Sequence, residues 1–446
     1  MNGKRTNATH VKLSLFIFSL IINILPAHSA DSLDFSITVT SPSNTPDAVM
    51  DVVLDSICPD ISGDNTTGTS NLKDVCDYYA TSEPAQAVEI TKELSAKVNT
   101  SANTYTTKTP TMRQTRDIGS RLLALRNTTK QGKLNGNGFA RNNGQIPMFN
   151  AQDNNEVGGL YSQRLSGFVN VNNINATQLE TLTEIGYESE SSGLSLGLDY
   201  RTNSKTFIGV ASQIFKTSAT LTDKGSQLEA SQIGISLYGT FLYRENWYFE
   251  GVVSTGQQIL DITRQIDLNL NQALNTTAKG NTNSQQSSLY VGTGYEIPLQ
   301  YGISSLFAVG LSYTTSKIAA YTESNAGNLG LEISEQELTS LSSSINAYIS
   351  KVFSTSFGVI IPQLSAGWIH ETKTEDQKIA AKFINDNSNT KFVFYTPPPD
   401  TNYFIIGLDL QILMPQGRMA FIKYANVQQL RDKSEYALAA GLRMEF

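Results

Sequence analysis

The sequence predicts an all-β transmembrane barrel of about 12 antiparallel strands, preceded by a small, mainly α-helical N-terminal region. Three features predict it. After about residue 160, apolar and polar residues alternate with period two, in segments of about ten residues separated by Asn, Ser, Gly, Asp and Lys clusters, which is the strand signature. The polar face of those segments carries Gly, Ser and scattered carboxylates instead of the Lys, Glu and Thr of a water-facing sheet, and this suits the confined interior of a closed barrel. Only 16% of the 446 residues are charged, yet no stretch after the N-terminus reaches the roughly 20 apolar residues of a spanning helix. A soluble β-sandwich is the competing arrangement for the same periodicity.

Taken in order, residues 1–29 read as a signal peptide for the Sec translocon. Lys4, Arg5 and Lys12 precede the apolar run Leu13 to Leu25, and the small residues Ala27 and Ser29 suit a signal peptidase. Residues 31–110 hold 12 Asp plus Glu against 4 Lys and three stretches of helical spacing. These are Ala48 to Ile57, Leu72 to Tyr79, and one opened by Pro84 that carries Ala87, Ile90, Leu94 and Val98. Cys58 follows the first and Cys76 lies in the second, so a bridge would clip the two helices together. In the chain-entropy model a loop of this size is worth about 3 kcal/mol. Two free thiols are the alternative reading.

Residues 111–159 reverse the charge, with Arg113, Arg116, Arg121, Arg126, Lys130, Lys133 and Arg141 against Asp117 as far as residue 150. Ile118, Leu122 and Leu125 recur at helical spacing beside Arg116, Arg121 and Arg126, which reads as one basic amphipathic helix and a candidate pore helix. The Asn- and Gly-rich stretch behind it is a linker, so a boundary falls before residue 160.

Residues 160–446 form the barrel. Candidate strands lie near 165–173, 191–202, 205–219, 227–243, 246–260, 285–299, 303–321, 339–353, 355–371, 402–414, 417–427 and 434–446, an even number as bacterial barrels require. The stretches 261–284, 322–338 and 372–401 read as long polar connections, and the others are brief. In the last segment Tyr436, Leu438, Ala440, Leu442, Met444 and Phe446 share the greasy face. Asp199, Glu250, Glu296, Asp409 and Glu445 fall on the lumen face against Arg201 and Arg443, so the lumen is expected to be acidic and able to pair with the Arg-rich helix. A basic helix packed beneath the barrel, or bound to anionic lipid, is the alternative.

The balance of 33 Lys plus Arg against 40 Asp plus Glu, net −7, excludes a non-specific nucleic-acid partner. Of three His, His10 and His28 fall in the leader, which leaves His370; with only two Cys, clustered metal sites are excluded and no cofactor is expected. His370 beside Glu371 is the one His-based catalytic candidate, but neighbouring strand residues point to opposite faces.

The stretches Ser192-Gly-Leu-Ser-Leu-Gly-Leu-Asp-Tyr-Arg201, Ile361-Pro-Gln-Leu-Ser-Ala-Gly-Trp-Ile-His-Glu371, Gly407-Leu-Asp-Leu410 and Gly441-Leu-Arg-Met-Glu-Phe446 resemble the C-terminal translocator of bacterial autotransporters over roughly residues 160–446. The resemblance implies a twelve-stranded barrel in the outer membrane with a helix through its pore. It also implies delivery by the barrel-assembly machinery, which reads a C-terminal signal here formed by Gly441, Met444 and Phe446. The chain would then act without enzymatic activity, as a monomer in outer-membrane lipid, anchoring and exporting a short passenger-like region, 31–110. A porin-like or adhesive barrel with a periplasmic N-terminal domain is the alternative, and a barrel hydrolase using His370 a weaker one. Two family features are missing: Gly63-Asp64-Asn65 has Asn where passenger esterases carry their Ser nucleophile, and the pair Asn142-Asn143 lies beyond the helix in which some members cut themselves.

Overall fold

The computed structural model describes residues 38–39, 45–62, 70–95 and 164–446, the last with short omissions at 182–184, 223–224, 245, 269–273, 373–376, 385, 387–389 and 397–399. The signal peptide and the basic helix of 111–126 lie outside the described residues.

A two-residue strand β1 (Thr38–Val39) precedes helices α1 (Pro46–Ser62), α2 (Ser70–Tyr79) and α3 (Pro84–Leu94). Each helix hides one apolar stripe: Val49, Met50, Val53, Leu54 and Ile57 on α1, Leu72 and Val75 on α2, Ile90 and Leu94 on α3, all buried. Pro84 opens α3 at the position where its missing N–H costs nothing. Cys58 lies inside α1 rather than after it, because the helix continues through Pro59 to Ser62.

Twelve strands then close into one antiparallel barrel: β2 (Leu165–Gln178), β3 (Tyr187–Asn203), β4 (Thr206–Leu221), β5 (Gln227–Leu242), β6 (Trp247–Leu268), β7 (Leu274–Pro298), β8 (Ile303–Ile318), β11 (Gln336–Lys351), β13 (Gly358–Glu371), β16 (Asn402–Met414), β17 (Arg418–Gln428) and β18 (Lys433–Glu445). Closure comes from β18 pairing with β2, from Lys433 opposite Gln178 to Glu445 opposite Ser166. The remaining strands are short. β12 (Phe353–Thr355) folds back on β13, while β9 (Tyr321–Thr322), β10 (Leu331–Ile333), β14 (Gln377–Phe383) and β15 (Lys391–Thr396) build a second sheet with β1 in the order β1-β15-β14-β10-β9.

The two ends of the barrel differ. Leu165 and Phe446 share one end with the tight turns, such as the one at Gln416 and Gly417, whose φ of 64° and 67° supply the twist a hairpin needs. The long connections 319–335 and 372–401 lie at the other end. In membrane barrels the short turns face the periplasm and the long connections the exterior.

This second sheet corrects the sequence reading of 322–338 and 372–401 as polar connections. The stretch 261–284 is corrected too, since β6 runs on to Leu268 and β7 starts at Leu274. Along β6 and β7 the alternation continues with its sense reversed. On the lower half of β4 the outward residues are Ile208, Val210, Ser212 and Ile214, mostly apolar, and above them come Lys216, Ser218 and Thr220. Its inward residues pass from Gln213 and Thr217 to the buried Ala219 and Leu221, and β6 likewise ends with Ile262, Ile266 and Leu268 inward and Asp261 outward. The lower half faces lipid and is greasy outside; the upper half faces water and is greasy inside.

Inside the lower barrel, aromatic rings lie flat on glycines of neighbouring strands. A Cβ placed on Gly209 would sit 2.3 Å from the Tyr238 ring, whereas at outward-facing Gly251 the nearest atom is at 3.6 Å. Gly209→Ala is therefore expected to weaken the barrel by about 1–3 kcal/mol through overpacking, read as a lower temperature of the folded-to-unfolded shift on gels, with Gly251→Ala unchanged.

Candidate translocation lumen and outer mouth

The lumen wall is polar over its middle. Ser191 meets Thr217 at 2.8 Å, Ser236 meets Ser254 at 2.9 Å, and the Gln286 amide donates to Gln258 at 3.0 Å while accepting from Gln232 at 3.1 Å. Asn170 Oδ1, Asn172 Nδ2, Gln213 Nε2 and Gln411 Oε1 are buried without a hydrogen-bond partner among the described residues. Buried polar atoms of this kind call for a polar occupant.

Charged side chains collect toward the end that holds the first and last strands. Asp199, 1% exposed, accepts from the Tyr238 hydroxyl at 2.5 Å and from Ser166 at 3.2 Å. Arg443 donates to Ser166 at 3.0 Å and pairs with Glu445 at 2.7 Å, which strings Asp199, Ser166, Arg443 and Glu445 across the seam where the barrel closes. Glu250 accepts from Tyr290 at 3.1 Å. Arg201 and Glu296 are half-buried on the same face, and Asp409 stands opposite Lys423, a lumen cation the sequence reading missed. The signal for Lys423 was there: it alternates with the outward Ile422 and Tyr424.

The C-terminal residues divide between the two faces. Met444 and Phe446 point outward, Phe446 at 57% exposure with its amide bound to the Leu165 carbonyl at 2.9 Å. Gly441 points inward, where a Cβ would strike the Phe421 ring and Asn170. Arg116, Ile118, Arg121, Leu122, Leu125 and Arg126 lie outside the described residues.

His370 and Glu371 part company. His370 faces outward beside Trp368, its Nδ1 3.0 Å from Asn402, whereas Glu371 is buried in the lumen and accepts from Ser340 at 2.7 Å. The two do not form a unit on which hydrolysis could run.

At the exterior end the polar lining gives way to one apolar core. It joins Met50, Val53 and Leu54 of the helices to Leu329, Leu331, Phe383, Phe392 and Phe394 of the long connections, and to Ala219, Leu221, Ile262 and Ile266 of the barrel's inner rim. α3 packs on β6, α2 on the turn 327–329 and α1 on β15. The Asp267 amide donates to Glu93 at 3.3 Å, and Lys92 pairs with Glu180 at 3.7 Å. Beneath the helices Arg264, 1% exposed, holds Glu323 through Nε at 3.1 Å and Nη2 at 2.6 Å and also donates to the Leu329 carbonyl, while the Leu331 amide donates to the same carboxylate. Cys58 and Cys76 are bonded to each other, fastening α1 to α2. The Tyr79 hydroxyl donates to Asp51 at 2.6 Å; burial, then the hydrogen bond and charge of Asp51, push its phenol well above the ordinary value.

Residues 167–425 match the family model of the autotransporter β-domain, which is more than half of the chain. This chain is an autotransporter. Its barrel sits in the outer membrane. Among solved structures it is similar to the translocator domain of the autotransporter NalP from Neisseria meningitidis, at 14% identity over 76% of this chain and 98% of that one, TM-score 0.54. It is also similar to the β-domain of the Bordetella autotransporter BrkA, at 12% identity over 64% of this chain and 100% of that one, TM-score 0.47. Outer membrane protein B of Rickettsia japonica is 28% identical over 143 residues, which is 31% of this autotransporter and 9% of that much longer protein.

Two outcomes follow for the outer dome. Glu323→Ala strands a buried guanidinium and should cost about 3–5 kcal/mol, while the double change Arg264→Met with Glu323→Leu should recover most of it; urea-dependent protease protection of residues 319–335 reads both. For Tyr79 the folded state holds the phenolic proton more tightly than the unfolded chain. Its contribution is intact below about pH 10 and drains away as pH rises toward the raised folded value. Helical ellipticity should therefore decline more above that pH in wild type than in Tyr79→Phe.

Proposed function

We propose that this autotransporter exports its own N-terminal region through the barrel and holds it at the cell surface, without catalysing a reaction. The observation that carries the reading is connectivity. α3 ends at Leu94 against the upper end of β6, where the Asp267 amide donates to Glu93, and β2 begins at Leu165 at the opposite end, so the chain between them must travel the height of the barrel.

Two routes exist, lipid or lumen. That stretch carries Arg113, Arg116, Arg121, Arg126, Lys130, Lys133 and Arg141, and a single cation at mid-bilayer costs about 2.5–3.5 kcal/mol even on the most lenient scale. Non-helical backbone in hydrocarbon would add an unsatisfied polar group at every residue. The lumen wall instead carries Asp199, Glu250, Glu296, Asp409 and Glu445 against Arg201, Lys423 and Arg443, a net negative surface, together with Asn170 Oδ1, Asn172 Nδ2, Gln213 Nε2 and Gln411 Oε1, which have no hydrogen-bond partner among the described residues. In this reading Arg116, Arg121 and Arg126 face those carboxylates, with Ile118, Leu122 and Leu125 on the other side of the same helix. The Sec translocon delivers the chain to the periplasm, and the assembly machinery receives Gly441, Met444 and Phe446 as the end of the last strand to close.

Protease added to intact cells is expected to reach the helical region and leave the barrel whole; digestion only after the outer membrane is permeabilised would mean a periplasmic N-terminal domain. Reversing the charge of Arg121 and Arg126 together should set them against the acidic wall and lower the temperature of the heat-induced gel-mobility shift, and an unchanged temperature would remove the basic segment from the pore.

A further inference from the structure

The exported region has a partner built into the same chain. We infer that α1, α2 and α3 are a docked stopper for the outer mouth, held non-covalently by the barrel's own rim and long connections, and not a mobile passenger displayed beyond it. The inference rests on the export reading above and goes beyond it by naming what the exported region binds.

The inner surface of the barrel is the first argument. Were the mouth open to water, its lining would stay polar to the top, as it does at Ser191, Thr217 and Gln258 lower down. Instead the inward positions of several strands turn apolar together: Ala176, Tyr187, Ala219, Leu221, Leu228, Ile262 and Ala278 are all buried, none more than 4% exposed. An apolar ring facing inward at the mouth of a wet tube is stable only when apolar surface covers it.

The helices supply that surface, and among the described residues they have no other place to bury it. Val53, Leu54 and Met50 of α1 are fully buried, yet three helices of this length enclose too little volume to bury their own stripes. They share a single core with Phe383, Phe392 and Phe394 of the outer sheet. β1 completes the match by pairing in parallel with β15, Thr38 opposite Lys391 and Val39 opposite Phe392, so the outer sheet takes its edge strand from the exported region. Edge pairing satisfies backbone groups that would otherwise recruit other chains.

Reciprocal exposure tests this. Intact cells carrying the full-length chain with Val53→Asp, or with Ile266→Asp on the barrel rim, are treated with protease, and the fragments are mapped by mass spectrometry. The gel-mobility shift on heating checks that the barrel is folded. If the helices are the stopper, Val53→Asp raises cleavage within the outer sheet, residues 377–396, at least about tenfold over wild type, because proteolysis follows the population of the open form. Ile266→Asp in turn raises cleavage within residues 46–94. Digestion of the helices in Val53→Asp with the outer sheet as resistant as wild type, or helices cut no faster in Ile266→Asp than in wild type, would overturn the stopper. Helices that resist on intact cells and are cut only after permeabilisation would overturn the export reading instead.

Discussion

Backbone hydrogen bonding in hydrocarbon governs this molecule. No described helix is long and apolar enough to cross a membrane, so strands must do it, and strands can do it only as a closed ring. The ring closes at one seam, β18 on β2, and chemistry is concentrated there. Outside, Phe446 lies against Gly167 and ties its amide to Leu165; inside, Arg443, Ser166, Asp199 and Glu445 bridge the same two strands and their neighbour. A seam of this kind joins residues from the two ends of the domain, which is slow to find and worth securing on both faces.

Above the bilayer the constraint changes and the same strands obey it. Water replaces lipid outside, so the outward residues become polar; an apolar stopper replaces the polar lumen inside, so the inward residues become apolar. The Arg264 and Glu323 pair sits in this upper region, where its desolvation is offset by a two-point contact and by backbone groups of Leu329 and Leu331. It fixes the path of one long connection, giving the helices a shaped floor.

Most of the barrel was legible in the sequence because alternation is a local signal. Strands such as 402–414 and 205–219 were placed to within a few residues, and the three helices announced themselves through Pro84 and the spacing of Val49, Val53 and Ile57. Two things were not legible. The upper reaches of β6 and β7 resemble polar loop in sequence, because their outward face turns polar above the bilayer. The second sheet was hidden because β1, β10, β14 and β15 are short, and because β1 pairs with β15 from the far end of the chain, which no local pattern reports. The lumen charges are legible from alternation alone, and Lys423, between the outward Ile422 and Tyr424, follows the same rule.

The reversal of polarity midway along β3, β4, β5 and β6 also sets the depth of immersion. Trp247, Phe249 and Tyr243 mark the lower waterline, and Glu188, Glu190, Lys216, Glu229 and Asp261 the upper one, all on the outer surface. Sinking by one pair of residues would drag carboxylates into oil, and rising by one pair would lift leucines and isoleucines into water. The hull therefore rides at a single draught whatever the thickness of the surrounding bilayer, and the lipid is what must stretch or thin to meet it.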